Sequence, residues 1–211
     1  MAEVFEKPKA FTKEWFGYVW DYYKWHIIVS VAVVALLAMT AVQFFTRVKY
    51  DTSLNFIISN VIPQEKADKI AELCAQNSDD LNSNGKVDIS FNQLNFTKEN
   101  IEDTEMHSAL INKCMTLYAS EDELIFIVDA AMFSEVVESK STKGMFFEAD
   151  EWAEGEYTQE GAYAVSLKNS SAFKESGVDS SDMYILVAVN RDEGIQANEK
   201  NAIKIANFLI K

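Results

Sequence analysis

Leu124-Ile-Phe-Ile-Val128 is an unbroken apolar run that ends on Asp129. Apolar residues at both alternations suit a strand covered on both faces, as in the interior of a parallel sheet. Residues 98–119, just upstream, set Ile101, Met106, Leu110, Ile111, Cys114, Leu117 and Tyr118 along one side at helical spacing. Before them, residues 87–96 (VDISFNQLNF) alternate as a half-buried strand does. Residues 63–77 repeat the helical spacing at Ala67, Ile70, Ala71, Cys74 and Ala75, with Pro63 suited to the first turn. Residues 54–59 (LNFIIS) are a further short run that favours a strand. The order β-α-β-α-β predicts right-handed crossovers and a three-layer α/β domain, its sheet packed between helices.

Downstream of Asp129 the spacing predicts a short helix over 131–139 and extended segments over 143–147 and 163–167. A second strongly apolar strand follows over 183–189 (MYILVAV). A closing helix over 198–211 carries Ala202, Ile203, Ile205, Ala206, Leu209 and Ile210. A strand and helix at the end complete one sheet, so 53–211 reads as one domain. The chain of 211 residues has room for one such core and not for two.

Residues 27–45 (IIVSVAVVALLAMTAVQFF) contain no charge, Pro or Gly. At about 1.5 Å per residue they span roughly 28 Å, the thickness of a bilayer's hydrocarbon core. The stretch is longer than the apolar part of a cleaved signal and ends in bulky residues, so an uncleaved, single-pass signal anchor is expected. That leaves 1–26 as a tail and 46–52 as a stalk. In the tail, Phe11, Trp15, Tyr18, Val19, Tyr22 and Trp25 follow one helical face after Thr12, a candidate N-cap. Lys13, Gly17, Asp21 and Lys24 take the other face. Trp15, Tyr18, Tyr22 and Trp25 are therefore expected at the lipid–water interface. The same helix suits contact with a membrane-protein partner. Four Lys precede the span, whereas only Arg47 and Lys49 follow it closely. The positive-inside rule then predicts a cytoplasmic N-terminus and an extracytoplasmic domain.

The net charge is −14, and residues 1–25 are neutral, so the whole excess lies beyond them. An acidic domain repels nucleic-acid phosphates, and no nucleic-acid partner is expected.

Four stretches resemble the first lobe of the type 2 extracellular solute-binding proteins of ABC transporters. They are 54–59 with 63–74; 109–120 leading into Glu123-Leu-Ile-Phe-Ile-Val-Asp129; Phe133 through 143–150 (KGMFFEAD); and 202–210. The resemblance covers most of 53–211 and implies a degenerate, membrane-tethered single lobe with no second lobe to close over a ligand. It implies a solute-binding-protein-like, non-enzymatic accessory or interaction module at the cell surface. The alternatives are a small surface enzyme and a subunit of a membrane transport complex.

In an α/β sheet, ligands bind at the carboxyl ends of the strands, which makes Asn60 and Asp129 the candidate contacts for a small-molecule ligand. Asp80-Leu-Asn82-Ser-Asn84-Gly85-Lys-Val-Asp88 matches the start of a calcium loop, with oxygen side chains at the first, third, fifth and ninth positions and Gly at the sixth. Its twelfth position is Phe91 where a bidentate Glu is needed. A turn with Asn84-Gly85 at positive φ is the competing and preferred reading. Cys74 and Cys114 are expected as buried thiols, and His26 and His107 lack neighbours at ligand spacing. No Gly-rich phosphate loop, nucleophile elbow or metalloprotease helix is present, so no catalytic residue and no cofactor is expected.

Overall fold

The computed structural model describes residues 10–46, 50–137, 144–189 and 196–211. They fall into two compact units that divide after Val48.

The first unit is one helix, α1 (Lys13–Thr46), of 34 residues and about 51 Å. Thr12 caps it, its Oγ1 accepting from the Trp15 N–H at 3.3 Å. The aromatic segment and the apolar span are therefore one unbroken helix, where the sequence suggested an interfacial helix feeding a separate span. Within the apolar stretch, the Thr40 hydroxyl donates to the Leu36 carbonyl at 2.8 Å, so that hydroxyl is paired within the helix. Phe16, Trp20 and Tyr23 are also exposed. At 100° per residue the aromatics then cover an arc of about 220°, broader than the single stripe expected. α1 is long and apolar enough to cross a membrane or to act as a signal anchor.

The second unit runs β1 (Thr52–Ile58), α2 (Gln64–Ala75), β2 (Ile89–Asn95), α3 (Lys98–Glu102), α4 (Thr104–Tyr118), β3 (Ile125–Asp129) and α5 (Ala130–Val137). It continues α6 (Ala149–Trp152), β4 (Gln159–Glu160), β5 (Ala164–Ser166), α7 (Ser171–Ser176), β6 (Met183–Val187) and α8 (Ala197–Leu209). The strands form one mixed six-stranded sheet, ordered β2-β1-β3-β6-β5-β4. This is an α/β domain. β1 is parallel to both β2 and β3, while β6 is antiparallel to β3 and β5. The run 124–128 is thus a central strand, as expected, but only one of its neighbours is parallel.

Strand pleating divides the core. Leu54, Phe56 and Ile58 of β1 join one hydrophobic cluster with residues of α2, α6, α7 and α8. Ile57 joins a second cluster with Cys114 of α4 and Met132 and Val136 of α5. Every residue of β1 is buried, including the polar Thr52, Ser53 and Asn55, as suits a strand covered on both faces.

Several local expectations shift. The helix foreseen over 98–119 breaks at Asp103, whose Oδ1 accepts from the N–H groups of Glu105 and Met106 at 3.0 Å each. That capping starts α4 afresh. Ile101 and Met106 fall outside the core as a result, 44 % and 46 % exposed. β2 does not alternate cleanly, because it lies at the sheet's edge and only Leu94 is fully buried. Pro63 occupies the N-cap, one position ahead of the first turn. Of the stalk foreseen over 46–52, Thr52 opens β1 and Asp51 is buried in the domain, while 47–49 lie outside the described residues.

Cys74 and Cys114 are buried, form no disulfide, and lie in different clusters, fed by opposite faces of β1. Burial pushes the Cys74 thiol up from 9.0 to about 12. A raised folded value means the neutral thiol's contribution is intact below pH 9 and is lost as pH rises toward 12. We expect iodoacetamide at pH 8 to label Cys74 at least about 100-fold more slowly in the native protein than in urea. Peptide mapping by mass spectrometry reads this directly, and equal rates would show that the cluster around α2 is open.

Candidate functional site

The connection from β1 through α2 leads to β2 on one side, and the chain then returns through α4 to β3 on the other. Between β1 and β3 the winding reverses, which leaves a crevice at their carboxyl ends. A cleft of about 520 Å³ opens there. Its walls include Ser59 and Asn60 after β1, Lys66 on the first turns of α2, and Asp129 and Ala130 at the junction of β3 and α5. Because β6 runs antiparallel, it starts where β3 ends, so its leading loop adds Asp179, Ser181 and Asp182 to the same cleft.

The structure brings the two sequence-predicted residues into one cleft but separates their roles. Asp129 is 7 % exposed and both carboxylate oxygens are occupied. Oδ2 accepts from the Ser59 N–H at 2.6 Å and from the Ser59 hydroxyl. Oδ1 accepts from the Met132 N–H at 3.0 Å, which caps α5. Asp129 therefore ties the ends of β1 and β3 together and neutralises the positive end of α5. Asn60 is exposed on the rim, so it is the solvent-facing member of the pair.

Lys66 donates its ammonium to the carbonyl of Gly177. Gly177 ends α7 in the left-handed conformation, at φ 70°, where a side chain would be strained. Asp179 lies three residues on from Ser176, the last residue of α7. Its carboxylate accepts from the Ser181 N–H at 3.0 Å, and hydrogen bonds from Ser181 hold its pKa below the usual value. Tyr184, on β6, has its pKa raised by burial and then by Glu160 and Asp182. The cleft is lined by three carboxylates and one ammonium.

Sequence reasoning missed Lys66, Asp179, Ser181 and Asp182. The run Asp179-Ser-Ser-Asp182 directly before an apolar strand was a readable turn signal. Its presence in this cleft depends on the direction of β6, which no local pattern encodes.

The 80–88 segment lies elsewhere, between α2 and β2. Asp80 accepts from the N–H groups of Asn84 at 3.2 Å and Gly85 at 2.8 Å. Asn82 accepts from Asn84 at 3.0 Å, and Asn84 from Lys86 at 2.8 Å. Asp51 fastens the segment from below, accepting from the N–H groups of Leu81, Asn82 and Asp88. The positive-φ residues are Ser83 and Gly85, so Asn84 does not hold the place expected of it. Phe91 stacks on Phe56 with centroids 4.3 Å apart, so the twelfth position is packed against the core and supplies no oxygen. These oxygens serve the turn, and Phe91 stands where a calcium loop places its bidentate carboxylate. Among the described residues, no three His, Cys, Asp or Glu side chains converge on a metal position.

Trp15, Tyr18, Tyr22 and Trp25 all lie on α1, with the Tyr18 and Tyr22 rings 4.8 Å apart. His107 packs edge-on to Phe96 at 6.1 Å.

The class these features define is an α/β domain with a mixed sheet and a switch-point cleft, carried by a chain whose N-terminal helix can span a membrane. Set against protein-family models, curated proteins and solved structures, the chain matches none.

Proposed function

We propose that the protein is a non-enzymatic, single-pass membrane-anchored binding module. Its N-terminus is cytoplasmic, and its domain is a three-layer, solute-binding-protein-like single lobe at the cell surface. The observation that carries this reading is the cleft at the ends of β1 and β3, where Asn60 stands on the rim beside the Ser59–Asp129 brace. One lobe offers one wall, so capture is weak and serves a partner in the same membrane rather than free scavenging. The aromatic first half of α1 supplies a surface for that partner or for lipid headgroups.

The charge of the cleft sets the ligand's sign. The carboxylate of Asp129 is committed internally and the Lys66 ammonium is held by Gly177. Asp182, and Asp179 beside its bonds from Ser181, are exposed and face a solute, which favours one carrying an ammonium or guanidinium group.

Thermal unfolding of the full chain in detergent tests this with lysine, arginine, choline, putrescine, glucose and glutamate. A ligand at 100 times its Kd stabilises by about 2.7 kcal/mol, a Tm rise of roughly 5–10 °C for a domain of this size. We expect such a rise from a cationic member and its loss in Asn60→Trp, which fills the cleft mouth. No shift from any cation, or a shift that survives Asn60→Trp, would remove the cleft from the account.

A further inference from the structure

Charges of both signs stand unpaired in the cleft at the ends of β1 and β3. Lys66, half-buried in its wall, donates its ammonium to the Gly177 carbonyl and so staples α2 to the end of α7. That bond uses one of the three donors an ammonium carries. Among the described residues Lys66 forms no ion pair, so its charge is met by a carbonyl dipole alone. Asp179 follows Gly177 by two residues, no more than about 7 Å along the backbone. The ammonium is therefore held close to the acidic loop without closing on it.

Asp179 and Asp182 are both exposed on that loop and line the same cleft. Asp179 accepts from the Ser181 N–H, a neutral donor that leaves its charge in place. A solute with only positive charge would satisfy these carboxylates and set its remaining atoms beside the Lys66 ammonium. A solute that carries a carboxylate as well meets both signs at once.

We propose, on the footing that this cleft is the binding site, that its ligand is a small zwitterion of the amino-acid class. The ligand's ammonium or guanidinium faces Asp179 and Asp182, and its carboxylate accepts from the donors that Lys66 does not spend on Gly177. Charge-assisted bonds at both ends supply the orientation that a single open wall lacks. The cleft's volume of about 520 Å³ falls within the range of small-molecule sites. The general field of the protein works the other way. A net charge of −14 attracts a dication more strongly than a zwitterion. A preference for the carboxylate-bearing member of a matched pair must then come from local charge.

Lysine and cadaverine form such a pair, as do arginine and agmatine, each differing by the α-carboxylate alone. Thermal unfolding of the full chain in an uncharged detergent, at constant salt, gives the concentration of each that produces the same Tm rise. We expect lysine to need at least about 5-fold less than cadaverine, and arginine likewise against agmatine. Lys66→Gln should weaken lysine to the level of cadaverine, and Lys66→Arg should keep the preference. A staple without a ligand role would lower the Tm in Lys66→Gln and leave the ratio unchanged. Asp182→Asn should weaken both members of each pair. Equal responses to lysine and cadaverine, or a preference that survives Lys66→Gln, would overturn the zwitterion while leaving a cation site. No response to any of the four would overturn the cleft reading along with it.

Discussion

Asp129→Ala is expected to destabilise the α/β domain by about 3–5 kcal/mol, from the loss of a charged cap and of bonds to buried donors. The carboxylate holds three donors, the Ser59 N–H, the Ser59 hydroxyl and the Met132 N–H. Alanine removes every acceptor at once. The Met132 N–H is left at the start of a helix without its cap, and the Ser59 N–H loses its partner beside a strand end. Asp129→Asn separates charge from geometry. Its single carbonyl oxygen can serve one side only, so about half the loss should remain. Urea unfolding followed by circular dichroism reads both variants, with an unchanged m value confirming that the midpoint shift is a stability change. A cost below about 1 kcal/mol for Asp129→Ala would mean that β1 and β3 hold their ends together without it. Ligand response should fall with stability in the alanine variant, because the Ser59–Asp129 tie shapes the cleft floor.

The second large effect belongs to α8. Asn201 is 1 % exposed, and its amide is used at both ends. Nδ2 donates to Thr52 Oγ1 and to Ser78 Oγ at 2.9 Å each, while Oδ1 accepts from the Asp79 N–H at 2.9 Å. One side chain thus fastens the closing helix to the first residue of β1 and to the turn after α2, contacts separated by more than a hundred residues in the chain. Asn201→Ala should cost about 2–4 kcal/mol, combining a small cavity with buried donors and acceptors left unmet. Asn201→Asp keeps the shape but loses two donors and buries a charge, and should cost at least as much. One turn away, Lys204 bridges Asp79 at 2.6 Å, but both groups are half exposed or more. Lys204→Ala should cost no more than about 1 kcal/mol despite that short contact. If the two alanine variants prove equal in a urea titration, the burial argument fails.

These residues mark how far the sequence could be read. The burial of β1, β3, β6 and α8 was visible in their apolar residues, because each packs on the core, and the unbroken apolar stretch of α1 marked a helix long enough to cross a membrane. The α3–α4 break was also visible in principle: Asp103 followed by Thr104-Glu105 is a helix start, outweighed by a longer apolar repeat that the fold does not use. Residues 149–152 and 171–176 were too short for periodicity to register, and their helices are set by capping, as by the Ser170 hydroxyl that accepts from Phe173. Half of the candidate site followed from the strand ends at Asn60 and Asp129. The other half, Lys66 with Asp179, Ser181 and Asp182, did not.

The apolar run of 124–128 and the uncharged stretch of 27–45 determined, from sequence alone, an α/β core and a helix fit to cross a membrane. Hydrophobic burial is read residue by residue, and its period survives in the chain. Tertiary structure decided the mixed sheet, the direction of β6, the commitment of Asp129 to Ser59 across 70 residues and the place of β2 at the sheet's edge. Those depend on which elements dock side by side. A strand's pattern records that it is buried, and not which neighbour buries it or which way that neighbour runs.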